Sequence, residues 1–249
     1  MDPTSVEELS RAIGASHRGD PAVLAGPDVV IDSRAVTPGA VFVALGGEHA
    51  DGHDFVGAAR QVGAGAALVG HPVDCDIPQL VCGDALEGLS RLARHVVARA
   101  KEHGLVSVAL TGSSGKTSTK DLIAQVFEAA GPTVAPVGSF NNEIGVPLTA
   151  CRVDASTRYL VSEMGARGQG HISWLCSIVP PDIALVVNVG SAHLGEFGTV
   201  DDIARAKAEI VEAVGPQGWA VLNAADPRVS AMAERTQGRL AWFSAAGPV

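Results

Sequence analysis

The plainest chemistry lies in Leu110-Thr111-Gly112-Ser113-Ser114-Gly115-Lys116-Thr117, between an apolar run at Val106 to Leu110 and a helical stripe from Thr117 to Ala130. A strand, a glycine-containing turn and a helix start in that order suit a phosphate. The glycines let the backbone wrap the anion, and the helix-start N–H groups point at it. Lys116 would bridge the β- and γ-phosphates of a nucleotide, and the Thr117 hydroxyl would ligate Mg2+. The full pattern G-x-x-x-x-G-K-[ST] is not met, because Leu110 holds the first glycine position. An ordinary strand–turn–helix with a solvated lysine is the competing reading.

Three residues downstream could extend this site. Tyr159-Leu160-Val161-Ser162-Glu163 is an apolar strand ending in a carboxylate. In parallel sheets the ligand crevice lies off the carboxyl ends of the strands, so Glu163 could hold Mg2+ opposite Thr117. Ile183 to Val187 runs into Asn188 and then His193, which puts a histidine on a loop at the same edge. The chain has only four lysines, at 101, 116, 120 and 207. Lys207 falls mid-stripe among Val200, Ile203, Ala204, Ile210, Val211 and Val214. A buried, unpaired ammonium is expensive, so Lys207 should pair, lose its proton or be modified. Otherwise it snorkels to water.

The elements that must position these residues fall into two textures. Up to about residue 100, an acidic helix (Ser5 to Ile13) leads to short β-like runs at Val29–Ile31, Val41–Leu45, Ala66–Val69 and Gln79–Cys82. A helix over Phe55–Val62 interrupts them. From Asp84 to His103, Leu86, Leu89, Leu92, Ala93, Val96, Val97 and Ala100 recur at helical steps, ended by Gly104. This helix reads as a linker, so domains are expected at 1–100 and 101–249. The second part alternates strands (Val106–Leu110, Tyr159–Val161, Ile183–Val187, Trp219–Leu222, Leu240–Phe243) with helices near Ile172–Ile178, Val200–Val214 and Pro227–Thr236. The expected fold class is α/β: a small α/β domain, then a doubly wound, mostly parallel sheet covered on both faces.

Composition narrows the function. With 18 Lys+Arg against 27 Asp+Glu, the net charge of −9 disfavours nucleic acid or an anionic membrane surface as partner. Cys75, Cys82, Cys151 and Cys176 show no CxxC spacing, so neither a disulfide scaffold nor a thiolate zinc site is expected. No signal-peptide h-region or membrane-length apolar run is visible. The reading is a reduced, cytoplasmic monomer. Glycine reaches 29 of 249 residues, and Gly112, Gly115, Gly145, Gly165 and Gly190 are expected where backbone nears a ligand.

The run Ser139-Phe140-Asn141-Asn142-Glu143-Ile144-Gly145-Val146-Pro147-Leu148-Thr149 resembles the Mur ligases, in the branch that adds D-alanyl-D-alanine to UDP-N-acetylmuramoyl-tripeptide. Supporting segments are Asp32-Ser33-Arg34, Asp51-Gly52-His53-Asp54-Phe55, the phosphate loop, Glu163-Met164-Gly165-Ala166, Asn188 to Leu194 and Ala206-Lys207-Ala208-Glu209-Ile210. The resemblance implies a small-molecule ligase of peptidoglycan precursor synthesis that uses ATP and two Mg2+ ions. Thr111, Gly112, Ser113, Ser114, Gly115, Lys116, Thr117 and Ser118 would cradle the ATP phosphates. Thr117 and Glu163 would hold one Mg2+, and Glu163 with His193 a second. Lys207 matches a lysine carbamylated by CO2, which becomes an anion able to help bind magnesium. Lys116, His193 and Lys207 are thus the catalytic candidates, while Ser33, Arg34, Asn141 and Asn142 match positions near the UDP-sugar.

The implied reaction is stepwise: the tripeptide carboxylate attacks the γ-phosphate, and the D-Ala-D-Ala amine then attacks the resulting acyl phosphate. The sequence departs from the family's usual pattern at Ser139, Arg167 and His171-Ile172, on the substrate side. The resemblance also implies that the central domain is cut short here and that the amine-binding C-terminal domain is absent, so the isolated chain is expected to be inactive. Two alternatives stay open: a non-catalytic nucleotide or UDP-sugar module, and a sibling ligase for another amino acid. A P-loop kinase or GTPase is disfavoured, since no guanine-reading NKxD occurs.

Overall fold

The computed structural model describes residues 1–47, 50–190 and 197–244. The chain forms two compact units, one of Met1–His103 with Ala150–Ala155, the other of Gly104–Thr149 with Ser156–Val249.

The first unit opens with β1 (Thr4–Ser5) and α1 (Val6–Ile13), where the Ser5 hydroxyl caps the helix by accepting from Glu8 N. Strands β2 (Ser16–Arg18) and β3 (Leu24–Ala25) follow, the latter antiparallel to β1. β4 (Val29–Val30), β5 (Val41–Val43), α2 (Val56–Val62), β6 (Ala66–Val69) and β7 (Gln79–Val81) complete a sheet ordered β2-β7-β6-β5-β4. All its pairings are parallel except β2 with β7. The sheet packs Phe42, Ala44, Ala67 and Val69 with Val56 and Ala59 of α2. α3 (Ala85–Glu102) starts where the Asp84 carboxylate accepts from Leu86 and Glu87 N–H, and ends at left-handed Gly104. Residues 150–155 return to this unit: the Met1 ammonium donates to Cys151 O at 2.8 Å, and Ala155 N donates to Asp2 at 3.1 Å. No local pattern in the sequence signals that return.

The second unit is built on β8 (Val106–Thr111), α4 (Lys116–Glu128), β9 (Thr133–Val134), α5 (Gly145–Ala150), β10 (Tyr159–Glu163), α6 (His171–Ile178), β11 (Ile183–Val186), α7 (Val200–Glu212), β12 (Trp219–Asn223), α8 (Pro227–Ser230) and β13 (Arg239–Phe243). Among the described residues its strands form one wholly parallel sheet, ordered β13-β12-β11-β8-β10-β9. From β8 the chain winds to one side through β9 and β10, then crosses to β11 on the other. That reversal is a topological switch point, which opens a crevice at the carboxyl ends of β8 and β11. The central strands are apolar throughout because both faces are covered. Val108, Leu110, Val161 and Leu185 pack against Ile123 and Phe127 of α4 on one face. The helix expected over Pro227–Thr236 is a single α-turn at Pro227–Ser230 followed by 3-10 turns at Ala231–Arg235. No helix among the described residues is long and apolar enough to cross a membrane.

Candidate functional site

Strand register brings the phosphate loop and Glu163 to one edge of the second unit. Glu163 pairs with Leu110 across β10 and β8, and Val186 pairs with Thr111 across β11 and β8. The loop after β8, the end of β10 and the loop after β11 therefore leave the sheet at one level. The α4 helix starts at Gly115, whose φ of +74° lets the chain turn sharply into it. No side chain caps that start. Its first-turn N–H groups are thus available to an anion, and the helix dipole adds partial positive charge there.

Gly112 is required for a different reason: a Cβ there would meet the Val187 Cβ at 3.0 Å. At Gly145 a Cβ would lie 2.7 Å from Phe140 backbone atoms. At both positions a side chain would meet neighbouring protein, which is reason enough for glycine there.

Lys116 Nζ donates to Gly112 O at 3.0 Å, so its ammonium lies folded over its own loop. Thr111 is fully buried, and its Oγ1 has no hydrogen-bond partner. Glu163 is also fully buried. Its Oε1 accepts from Ser139 Oγ at 3.2 Å and from Asn141 Nδ2 at 2.7 Å, while its buried Oε2 has no partner. A buried carboxylate oxygen left unsatisfied is costly in a folded protein, and a cation is the partner it calls for. The residues present therefore fit a hard divalent ion. Among the described residues no group of three or more His, Cys, Asp and Glu is gathered to hold a metal, so the candidate donors are Glu163 and the Thr117 hydroxyl. His193 lies outside the described residues.

Lys207, on α7, is 5% exposed. Burial, and secondarily the charge of Lys116, pushes its amine down to about 8. Snorkelling does not describe it. Two residues on, Glu209 reaches α6, whose own start carries no side-chain cap. Its carboxylate accepts from Gly170 N at 2.6 Å and Ser173 N at 2.9 Å. This cap, supplied from another helix, ties α7 to α6.

The substrate-side candidates divide between the units. Asn142 Oδ1 accepts from Ile144 N at 3.2 Å and Gly145 N at 2.9 Å, opening α5. Asn141 serves Glu163 as described. In the first unit, Asp32 accepts from Arg34 N at 2.9 Å and pairs with its guanidinium at 2.7 Å. Those bonds hold the Asp32 carboxyl at about 2. Ser33 and Arg34 sit in a 3-10 turn just beyond β4, at the carboxyl edge of that unit's own parallel strands. The departures from the family pattern also interact: Arg167 pairs with Glu143 at 2.9 Å, and His171 Nε2 stands 3.7 Å from the same carboxylate.

Three contributors were not singled out from the sequence. Lys120, 2% exposed, donates to Pro136 O at 2.9 Å and pairs with Asp121 at 2.5 Å, anchoring the stretch that leads to Ser139 and Asn141. The scarcity of lysine, and the four-residue step from Lys116, were its available signals. Glu209 gave none beyond its place near Lys207. Asn188 follows the apolar run Ile183 to Val187, and nothing in its spacing marks a role. Its Oδ1 accepts from Ser113 N and Ser114 N, both at 3.0 Å, and its Nδ2 donates to Ser114 O and Oγ, both at 3.2 Å.

Residues 110–248 match the model of the Mur ligase middle domain, and residues 28–108 match that of the Mur ligase family catalytic domain. The UDP-N-acetylmuramoyl-tripeptide–D-alanyl-D-alanine ligase of Mycobacterium tuberculosis is 46% identical over 231 residues, covering 85% of this chain and 45% of that protein. A crystal structure of MurF from Acinetobacter baumannii superposes with a TM-score of 0.89 at 34% identity, over 98% of this chain and 54% of that one. MurF ligase from Thermotoga maritima in complex with ADP gives a TM-score of 0.77 at 34% identity, over 88% and 51% of the two chains. The chain spans about half the length of the relatives it matches.

Proposed function

The chain belongs to the Mur ligase family, and we propose that it supplies the ATP-phosphate and UDP-sugar side of a ligase joining D-alanyl-D-alanine to UDP-N-acetylmuramoyl-tripeptide. The observation that carries this reading is the carboxyl edge of the second unit. There an uncapped helix start follows a glycine turn, and a buried carboxylate keeps one oxygen unsatisfied. The relatives named above favour the D-alanyl-D-alanine branch over the sibling ligases.

In this reading the N–H groups of Lys116, Thr117 and Ser118 bind the nucleotide phosphates. Lys116 exchanges its Gly112 carbonyl for a phosphate oxygen and so neutralises developing charge. Thr117 and Glu163 are the residues that would hold Mg2+, which when bound neutralises charge on the phosphates. Ser139 and Asn141 fix the Glu163 carboxylate so that its free oxygen keeps its position. Ser33 and Arg34 of the first unit are the candidates for the UDP-sugar.

Two bond exchanges follow. The tripeptide carboxylate oxygen bonds to the γ-phosphorus as the bond to ADP breaks. The dipeptide amine then bonds to the acyl carbon, inorganic phosphate departs, and the amine loses a proton. Lys207, whose amine is buried and easily neutralised, can attack CO2 through its nitrogen lone pair and release a proton. The carbamate so formed would be an anion beside Lys116.

The test is product formation from ATP, UDP-N-acetylmuramoyl-tripeptide and D-Ala-D-Ala by this chain within a protein of its relatives' length. ADP, phosphate and the UDP-linked pentapeptide are expected. Preference for another amine would overturn the branch assignment, and preference for GTP would overturn the ligase reading.

A further inference from the structure

We infer that Asn188 is a positioning residue for the phosphate loop, holding its first half so that the helix-start N–H groups remain aimed at an incoming phosphate. The inference rests on the nucleotide reading above and deepens it.

The loop after β11 is already secured without the Asn188 side chain. Val187 N donates to Thr111 O at 2.9 Å, and Asn223 Nδ2 donates to Val187 O at 2.9 Å. Asp226, while capping α8, accepts from Val189 N at 2.8 Å. Among the described residues, the bonds of the Asn188 carboxamide all run to the phosphate loop. The carboxamide accepts from two successive loop amides and donates to Ser114 O and Oγ. Ser113 Oγ closes the contact, accepting from Gly190 N at 2.8 Å.

The phosphate loop is thereby divided. Ser113 and Ser114 are committed to the 187–190 loop, whereas the start of α4 after Gly115 has no side-chain cap. A loop already ordered on one side loses less conformational freedom when phosphate binds on the other. The partners of Asn188 also differ in what they would lose. Ser113 N keeps the Asn188 backbone carbonyl at 3.1 Å even if the side chain is removed, but Ser114 N has Oδ1 as its acceptor. Ser114 is therefore the reporter.

The experiment uses the whole chain, with amide hydrogen exchange measured by NMR without nucleotide and Mg·ADP titrated by the same spectra. In Asn188→Ala, exchange at Ser114 should accelerate on the order of tenfold and more than at Ser113, with Mg·ADP affinity falling on the order of tenfold. Asn188→Asp keeps the acceptor and should keep Ser114 protected, but places a negative charge beside the phosphates. Its affinity should fall at least as far, and the deficit should shrink with added salt. Asn223→Ala, which weakens the same loop from the opposite side, should leave both readouts within twofold of wild type.

Unchanged Ser114 exchange in Asn188→Ala would overturn the clamp. So would faster exchange with unchanged affinity in Asn188→Ala when the wild-type chain binds Mg·ADP, or an Asn223→Ala affinity loss equal to that of Asn188→Ala. A wild-type chain that protects Ser114 yet binds no Mg·ADP would instead overturn the nucleotide reading, and with it the purpose assigned to the clamp.

Discussion

Replacing Lys207 by methionine should stabilise the metal-free chain at neutral pH, and the gain should vanish in alkali. Lys207 is 5% exposed, and burial together with Lys116 lowers its amine from 10.5 to about 8. Below pH 8 both folded and unfolded chains carry the ammonium, and the folded state bears the full cost of holding it. At about 1.4 kcal/mol per pH unit, that lowering corresponds to roughly 3 kcal/mol. Between the folded and unfolded values the unfolded chain binds more protons, so the wild type gains stability as pH rises from about 8 toward 10.5. Cys151 and Cys176 act in the opposite sense. Burial pushes both thiols up from 9.0 to about 12, so their contribution is lost above pH 9. Both proteins carry these thiols, and the difference between them isolates Lys207. Urea denaturation of wild type and Lys207→Met from pH 7 to 10, in EDTA and without CO2, provides the assay. The variant should be more stable by roughly 3 kcal/mol at pH 7, with the gap closing as pH rises. Added bicarbonate at pH 8 should stabilise the wild type alone if the amine takes up CO2. A gap that does not change with pH, or a less stable variant at pH 7, would refute the reasoning.

Other perturbations probe neighbouring parts. Glu209→Ala removes two charge-assisted bonds from the start of α6 and should cost roughly 1–3 kcal/mol in urea denaturation, while Glu209→Gln retains part of that cap. Gly112→Ala forces a methyl to within 3.0 Å of Val187 and should destabilise the chain by about 1–3 kcal/mol, measured the same way. Glu163→Gln keeps the bulk and removes the charge behind the unpartnered oxygen. Calorimetric titration should find that Mg2+ no longer improves nucleotide binding, with ADP affinity in EDTA little changed.

Much of this fold was legible because its strands are short apolar runs bounded by Gly, Pro and Asp, and its long helices carry a clean stripe. α3 is the clearest case: Asp84 and Gly104 mark both ends, and the helix lies between them. Four strands were not legible. β1, β3 and β9 have two residues each, too few to show a period. Ser16-His17-Arg18 is an exposed polar edge whose pairing with β7 is set by tertiary context. At the site, the phosphate loop and the burial of Lys207 could be read from spacing. The bonds made by Lys120, Asn188 and Glu209 could not, because each joins elements distant in sequence or depends on where a loop folds back. The 150–155 return escaped for the same reason.

In the proposed function, the edge at Gly115–Thr117 and Glu163 takes the phosphates of ATP with a divalent cation. Calorimetric titration of the chain with ATP and with GTP, each with Mg2+ or EDTA, in wild type and Lys116→Ala, tests it most directly. The account predicts one site per chain, ATP at least as tight as GTP, tighter binding with Mg2+, and on the order of tenfold or greater loss in Lys116→Ala. Binding indifferent to Lys116 and to Mg2+, or a clear preference for GTP, would contradict it.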